Sequence, residues 1–287
     1  MLIPSRMAVR RRRVFVVVYA LLITCGMAWP LLTPWLHDQH EGYCYATRLI
    51  TLAEGLSSQH AHPRWSPELA AGHGYPLLNF YPPGFSYLAL AFLPLGAVTA
   101  VKVTVVLATF AGILLLYGLG RHVGGFAGGM VACTVGPLAT YTTCNLYTRG
   151  DFAEYTAFFA AAGVAWALLY ALKARMRPGP LLLFAAAFGA FVPLHTISSL
   201  VYTTIFVLIA AVMAARHRFS AARWLRLAGG FALGLALSAW YWLPALLENA
   251  TSRPIGCWTA RTSSSSISPG RRTSSWPSAA RSRYSAW

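Results

Sequence analysis

Acidic side chains are the scarcest reactive groups in this sequence, with seven Asp and Glu among 287 residues. Asp38 follows Trp35 at the start of a polar segment, where a carboxylate can act as a general base toward a hydroxyl group. The imidazoles flanking Asp38 are too close along the chain to converge easily on one ion, so we predict no metal site. Asp151 and Glu154 are the acids of the second outer loop, and Glu154 opens the helix that follows. A carboxylate in a helical first turn is also favoured by the helix dipole, which gives Glu154 a structural explanation as well.

Arginine, histidine and aromatic side chains accompany these acids and predict an anion-binding surface. Arg64 suits bidentate binding of a phosphate, although an interfacial loop of this kind can also be structural. Arg149 beside Asp151 is either a phosphate contact or a local ion pair worth about 0–1 kcal/mol if exposed. The predicted substrate-binding residues are His40, Arg64, Trp65, Tyr81, Arg149, His195 and Glu248.

Composition shows which elements must position these side chains. The chain is 57% hydrophobic and 10% charged, against about 25% charged residues in a soluble domain. This excludes a soluble enzyme and predicts an integral membrane protein. The net charge of +16 comes largely from basic groups between apolar runs, as the positive-inside preference requires. We therefore expect a lipid bilayer as partner and no nucleic acid.

Apolar runs predict an all-α, multi-pass fold of about seven transmembrane helices. The predicted spans are 14–32, 101–119, 126–143, 155–172, 180–194, 200–215 and 227–244. Residues 33–100 form a long first outer loop, in which segment 84–97 is too short to span and is expected to be re-entrant or interfacial. This topology places all seven acids outside. Segment 195–199, after the short fifth span, is expected to line a cavity below the membrane surface.

Two spacings predict contacts between segments. Glycines four residues apart, at 124 and 128 and at 230 and 234, permit close helix approach. Cys44 and Cys144 lie early in the first and second outer loops, where an oxidising compartment would permit a disulfide.

The chain contains an ordered set of motifs. They are Asp38, Pro63-Arg64-Trp65, Gly72-His73-Gly74-Tyr75-Pro76, Phe80-Tyr81-Pro82-Pro83, Tyr147-x-Arg149-Gly150 with Glu154, and Ser238-Ala239-Trp240-Tyr241-Trp242-Leu243-Pro244 with Glu248. This set resembles bacterial membrane proteins that carry the "6-pyruvoyl-tetrahydropterin synthase-related" domain. The resemblance covers about residues 35 to 249, and that family is in turn similar to the GT-C class of multi-span glycosyltransferases.

The resemblance implies transfer of a sugar from a polyprenyl-phosphate donor at the outer face of the bacterial cytoplasmic membrane, in the cell envelope. It makes Asp38 the first-loop acid and Glu154 or Asp151 the second-loop acid, with Arg64 and Arg149 as donor contacts. No soluble cofactor motif is present, and a divalent cation is left open. GT-C proteins usually have more than seven spans, so residues 1–250 are expected to be incomplete at the C-terminus. The alternatives are a non-enzymatic protein that binds or transports a lipid-linked glycan, and an inactive fragment.

The tail, residues 251–287, differs from the rest of the chain. It contains eleven serines and six arginines without an acid, a composition that predicts disorder because it cannot bury enough apolar surface. A frameshift would produce this mixture, and a genuine basic tail that binds anionic lipid is the alternative.

Overall fold

The computed structural model describes residues 6–34, 36, 39–58 and 62–249. Within these ranges the protein is helical and contains no strand, apart from an isolated bridge between Ser66 and Tyr75. The prediction of an all-helical membrane protein is confirmed at this level. Asp38 and the tail at 251–287 lie outside the described residues.

The described helices, in chain order, differ widely in length because several are confined to the loops. They are α1 (Arg6–Ala28), α2 (Gly42–Ser58), α3 (Leu77–Phe80), α4 (Gly84–Leu90), α5 (Ala97–Leu138), α6 (Thr140–Cys144), α7 (Phe152–Lys173), α8 (Pro178–Phe191), α9 (Thr196–Arg216), α10 (Ala221–Leu237) and α11 (Ala239–Asn249).

Four described helical segments are long and apolar enough to cross a membrane, and a bent pair makes five. The bent pair is α10 with α11, which meet at 74°. The sequence predicted seven spans, and the difference has two sources. Helix α8 has 14 residues and is short for a span, and the second and third predicted spans fall within one helical segment, Ala97–Arg149. The four long segments are Arg10–Leu32, Ala97–Arg149, Phe152–Lys173 and Thr196–Arg216.

Helix α5 is a hairpin rather than a straight rod. Gly124 and Gly125 have non-helical backbone angles, and Gly125 has a φ of +65° that favours glycine. Beyond this break the chain folds back, since a Cβ on Gly120 would lie 2.4 Å from the carbonyl oxygen of Gly128. The close glycine pair is therefore Gly120 with Gly128, whereas Gly124 lies at the bend with nothing near its Cβ position.

Helix α7 occupies the middle of the bundle, since it packs against α5, α8 and α9. Of its most apolar stretch, 61% is buried, against 28% for the corresponding stretch of α1. Residues of α7 belong to two apolar clusters. One cluster includes residues of α1, α2, α4 and α5, and the other includes residues of α8, α9 and α10. On α10, Gly230 and Gly234 lie directly against α8, in agreement with the predicted close approach.

The first loop covers the N-terminal end of α7. Tyr45 of α2 is buried between the rings of Phe85 and Phe152, with centroids 5.1 and 5.2 Å away. The amide of Gly84 donates to the carbonyl of Pro193 at 2.8 Å, and a Cβ at Gly84 would lie 2.6 Å from that oxygen. This contact fixes the first loop to the chain between α8 and α9.

Segment 84–97 contains only the seven-residue helix α4 and a short turn, so it is not among the candidate spans.

Candidate functional site

Asp151 is the centre of a buried polar group at the N-terminal end of α7. Its side chain is 4% exposed and accepts hydrogen bonds from the Tyr45 hydroxyl at 2.7 Å and from the Glu154 amide at 3.0 Å. The second bond caps α7, whose first amides otherwise have no partner. Burial, and to a lesser extent the Asp151 carboxylate, raises the pKa of Tyr45 well above its ordinary value. The Tyr45 phenol therefore remains a hydrogen-bond donor to Asp151 at neutral pH.

Arg149 is held by the same group and still reaches solvent. Its Nη1 donates to Glu154 Oε2 at 2.7 Å and to Asn145 Oδ1 at 2.6 Å, and Nη2 lies 3.4 Å from Asp151 Oδ2. A guanidinium has five N–H donors, and no hydrogen bond of the described residues uses Nε of Arg149. With 42% of its side chain exposed, Arg149 is an oriented cation with donors left for an anionic ligand. The tight turn that carries it requires Gly150, which has a φ of +66°.

Glu154 lies in the first turn of α7 and uses both carboxylate oxygens. Oε1 accepts from the Tyr141 hydroxyl at 2.5 Å and Oε2 accepts from Arg149. Its side chain is 14% exposed. In this arrangement Glu154 positions Arg149, because both of its oxygens already accept hydrogen bonds from neighbouring side chains.

His195 joins the start of α9 to the same group. Its Nδ1 accepts from the Ser198 amide at 3.2 Å, so a neutral ring carries its proton on Nε2. That Nε2 lies 3.8 Å from Asp151 Oδ2, and the His195 side chain is 12% exposed. The predicted residues Arg149, Glu154 and His195 therefore come together around Asp151.

The three side chains Asp151, Glu154 and His195 can also supply ligands to a metal ion. One ligand atom from each lies within 4.8 Å of the others. Bonds of about 2.0–2.2 Å to carboxylate and imidazole ligands need such atoms within about 4.4 Å of each other, so a modest contraction would be required. The Arg149 guanidinium now binds both carboxylates, and a cation would compete with it for Glu154. These donor types suit a divalent cation, but a cation on Nε2 would move the His195 proton to Nδ1, where the Ser198 amide now donates, so that bond would also have to break. The sequence did not reveal this cluster because His195 is distant along the chain.

A second polar group, from the first loop, adjoins the first and was also missed. Glu41 Oε2 accepts from the Tyr81 hydroxyl at 2.7 Å and pairs with Arg48 at 3.3 Å. The Arg48 guanidinium also lies 3.3 Å from the centroid of the Tyr81 ring. The amide of Glu41 donates to the carbonyl of Arg149 at 3.0 Å, which joins the two loops. Among the hydrogen bonds of the described residues none uses Glu41 Oε1, so this carboxylate retains one open oxygen.

Arg64 and Glu248 pair with each other in a separate polar group. Arg64 pairs with Glu248 at 2.8 Å, and Asn79 donates to the other oxygen of Glu248 at 2.5 Å. This ion pair is exposed on both sides. Trp65 is half exposed, with its ring over Gly74, and His40 is exposed.

An apolar cavity of about 690 Å³ opens beside the start of α9. Thr196 and Ser199, in the first turn of α9 directly after His195, line one side of the cavity, and α11 lines another. The Thr196 hydroxyl also hydrogen-bonds the Tyr241 hydroxyl at 2.7 Å. The expectation that segment 195–199 lines a cavity agrees with this arrangement, which brings an apolar space to the edge of the Asp151 group.

Cys44 and Cys144 are both free thiols, so the disulfide that the loop positions permitted is not formed.

Comparison of the chain with protein-family models, curated proteins and solved structures gives no match in any of the three.

Proposed function

We propose that the protein transfers a sugar from a polyprenyl-phosphate donor to an acceptor hydroxyl at the outer face of a bacterial cytoplasmic membrane, as a GT-C-like glycosyltransferase. One observation carries the proposal: Arg149, oriented by two carboxylates and still exposed, lies where the first loop, the start of α7 and the start of α9 meet. The adjacent 690 Å³ cavity is apolar, as the prenyl chain of such a donor requires. The motif resemblance supports the same reaction.

In this mechanism the two loops have different roles. A first-loop carboxylate takes the proton of the acceptor hydroxyl, whose oxygen attacks the anomeric carbon. The bond between that carbon and the phosphate oxygen breaks, and the phosphate leaves with the electron pair. Arg149 then stabilises the departing phosphate by charged hydrogen bonds. The resemblance assigns the base to Asp38, and Glu41 is a described first-loop acid that keeps one open oxygen and is joined through its backbone amide to Arg149.

Charge counting indicates how the donor phosphate is attracted. Asp151 and Glu154 carry two negative charges against one positive charge on Arg149, so the group has an excess of one negative charge when His195 is neutral. Bound to these two carboxylates and His195, a divalent cation would reverse that sign and supply electrostatic stabilisation of the phosphate. We therefore expect donor binding to be weakened by a chelator and restored by Mg²⁺ or Mn²⁺.

The proposal includes seven spans with the acids outside. The hairpin at Gly124–Gly125 supports it, because each arm of α5 corresponds to one predicted span. Single cysteines at 60 and at Thr148, an exposed position in the second loop, should react with an impermeant maleimide in intact cells, and cysteines at 175 and 220 only after permeabilisation. Opposite accessibility of residues 60 and 148 would mean that segment 84–97 spans the membrane.

The deciding experiment uses the full chain in lipid nanodiscs with a radiolabelled polyprenyl-phosphate sugar and measures both donor retention and release of polyprenyl phosphate. Asp38→Asn should abolish release while leaving expression and donor retention unchanged. Arg149→Lys should weaken donor retention about tenfold, because lysine lacks the planar set of donors. Glu54→Gln, an exposed acid on α2, is the matched control and should change neither quantity.

A non-enzymatic protein that binds or transports a lipid-linked glycan is the second candidate. It is favoured by the fact that the carboxylates of Asp151 and Glu154 already accept hydrogen bonds that hold the surrounding elements together. Donor retention that depends on Arg149, without release of polyprenyl phosphate, would establish this function instead. If the unmodified chain neither retains the donor nor releases polyprenyl phosphate, it is an inactive fragment.

A further inference from the structure

The end of the bundle opposite Asp151 carries a cavity between α1, α5 and α7. Helix α7 has 22 residues, so its two ends are about 33 Å apart, and Trp166 lies toward the far end. The cavity measures about 560 Å³ and is lined by Trp166, by Arg13 of α1 and by Arg121 and His122 of α5. It is therefore distant from the group around Asp151 and shares no residue with it.

The charged side of this cavity is uncompensated. Arg13 and Arg121 are both exposed, and no ion pair of the described residues uses either one. None of the residues that line the cavity is acidic. His122 adds a buried Nε2 that has no hydrogen-bond partner among the described residues. Two guanidinium groups and an imidazole thus face a space without a counter-charge.

The other side of the cavity is apolar. Val17 of α1 and Leu114 of α5 belong to this wall, together with the Trp166 indole. The indole lies directly on α5 because Gly118 has no side chain, and a Cβ there would lie 2.6 Å from the ring. A ligand that fits both sides has a compact anionic head and an apolar tail.

We propose that this cavity binds an anionic phospholipid, with the phosphate on Arg13 and Arg121 and an acyl chain along the wall of Val17, Leu114 and Trp166. Basic pockets between membrane helices recognise such headgroups, and arginine matches phosphate with paired N–H donors. A zwitterionic lipid would leave the two positive charges partly uncompensated, and a free phosphate would leave the apolar wall empty. The site is independent of sugar transfer, since it lies at the other end of the bundle.

The test counts phosphatidylglycerol bound to the full chain by native mass spectrometry, with phosphatidylcholine as the neutral comparison. Phosphatidylglycerol should be retained in preference to phosphatidylcholine, and Arg13→Gln with Arg121→Gln should lower its affinity about 25-fold, at about fivefold for each arginine. The matched control is Arg216→Gln with Arg226→Gln, which removes the same charge from exposed positions that do not line the cavity. This control should reduce affinity by less than about twofold.

A second variant tests the cavity without changing charge. Val17→Trp fills the space while retaining both arginines, and it should also abolish the preference for phosphatidylglycerol. Glycerol phosphate, which has the head and lacks the chain, should not displace the lipid. Equal losses in the two double variants, or an unchanged preference in Val17→Trp, would overturn the proposal in favour of diffuse attraction to a basic surface.

Discussion

Replacing Asp151 with alanine tests whether this residue is the structural centre of the site. The carboxylate is 4% exposed and holds three elements: it caps α7, accepts from Tyr45 of α2 and faces His195 at the start of α9. Alanine removes all of these contacts without adding atoms. We therefore expect Asp151→Ala to destabilise the whole end of the bundle at which α7 begins.

The size of the effect follows from two contacts. Loss of an N-cap costs about 1 kcal/mol. The Tyr45 hydroxyl, on a side chain that is 2% exposed, would lose its acceptor, and an unsatisfied buried donor costs about 1–3 kcal/mol. We assign nothing to Arg149, whose exposed guanidinium is 3.4 Å away and largely screened. The sum is about 2–4 kcal/mol, or a fall of about 5–15 °C in the unfolding midpoint at about 2–4 °C per kcal/mol.

Thermal unfolding in detergent, followed by tryptophan fluorescence, measures this effect. Asp151→Asn keeps an oxygen for the cap and for Tyr45, so it should lose about 1 kcal/mol or less. In a double-mutant cycle, Asp151→Ala with Tyr45→Phe should show a coupling of at least about 1 kcal/mol. A coupling below about 0.5 kcal/mol, which is the additivity expected of independent sites, would refute the reasoning. So would an Asp151→Ala midpoint no lower than that of Glu54→Ala.

Three further predictions concern the surrounding elements. Gly84→Ala should lower the midpoint of thermal unfolding, because the added Cβ would lie 2.6 Å from the Pro193 oxygen. Gly26→Ala is the control: it lies on a helix with open space around it and should be neutral or slightly stabilising. Equal midpoints for the two variants would contradict this prediction. Burial raises the pKa of Tyr81 above its ordinary value of 10.0, so its contribution to stability is present below pH 10 and is lost as pH rises further. The midpoint of thermal unfolding should therefore fall as pH rises above about 10, and it should fall less steeply in Tyr81→Phe. Identical slopes in the two proteins would show that Tyr81 does not cause the fall. Glu248→Gln breaks an exposed ion pair and should cost at most about 1 kcal/mol, so a larger loss on denaturation would indicate a buried role.

The membrane character of the fold could be predicted because it depends on local composition. Apolar run lengths and the scarcity of acids require helices in a bilayer whatever their partners are. The number of spans was less predictable. The bend at Gly124–Gly125 and the shortness of α8 depend on how the helices pack, and a run of 15 apolar residues is compatible with a buried helix as well as a span.

The site was predictable where its members are close along the chain. Arg149 and Glu154 are five residues apart on a turn and the helix that follows, so their pairing is local. Tyr45 and His195 reach Asp151 from α2 and from the start of α9, and neither spacing nor periodicity relates positions so distant in sequence. Glu41 was missed for the same reason, since its chemistry depends on Tyr81 and Arg48 rather than on its neighbours in the chain.

The two ends of the bundle differ in how their charged side chains are paired. The free-energy cost of placing a carboxylate inside the bilayer does not by itself explain why the acids collect at one end. Exclusion of carboxylates from span centres permits them at either end. At the α7 N-terminal end, Glu41, Asp151, Glu154 and Glu248 each pair with an arginine or a histidine, so individual donors and acceptors have fixed positions there. At the opposite end the arginines that line the cavity have no such partners among the described residues. The two proposals differ accordingly: donor binding at the first end would depend on hydrogen-bond geometry, and lipid binding at the second on an anion supplied from outside the chain.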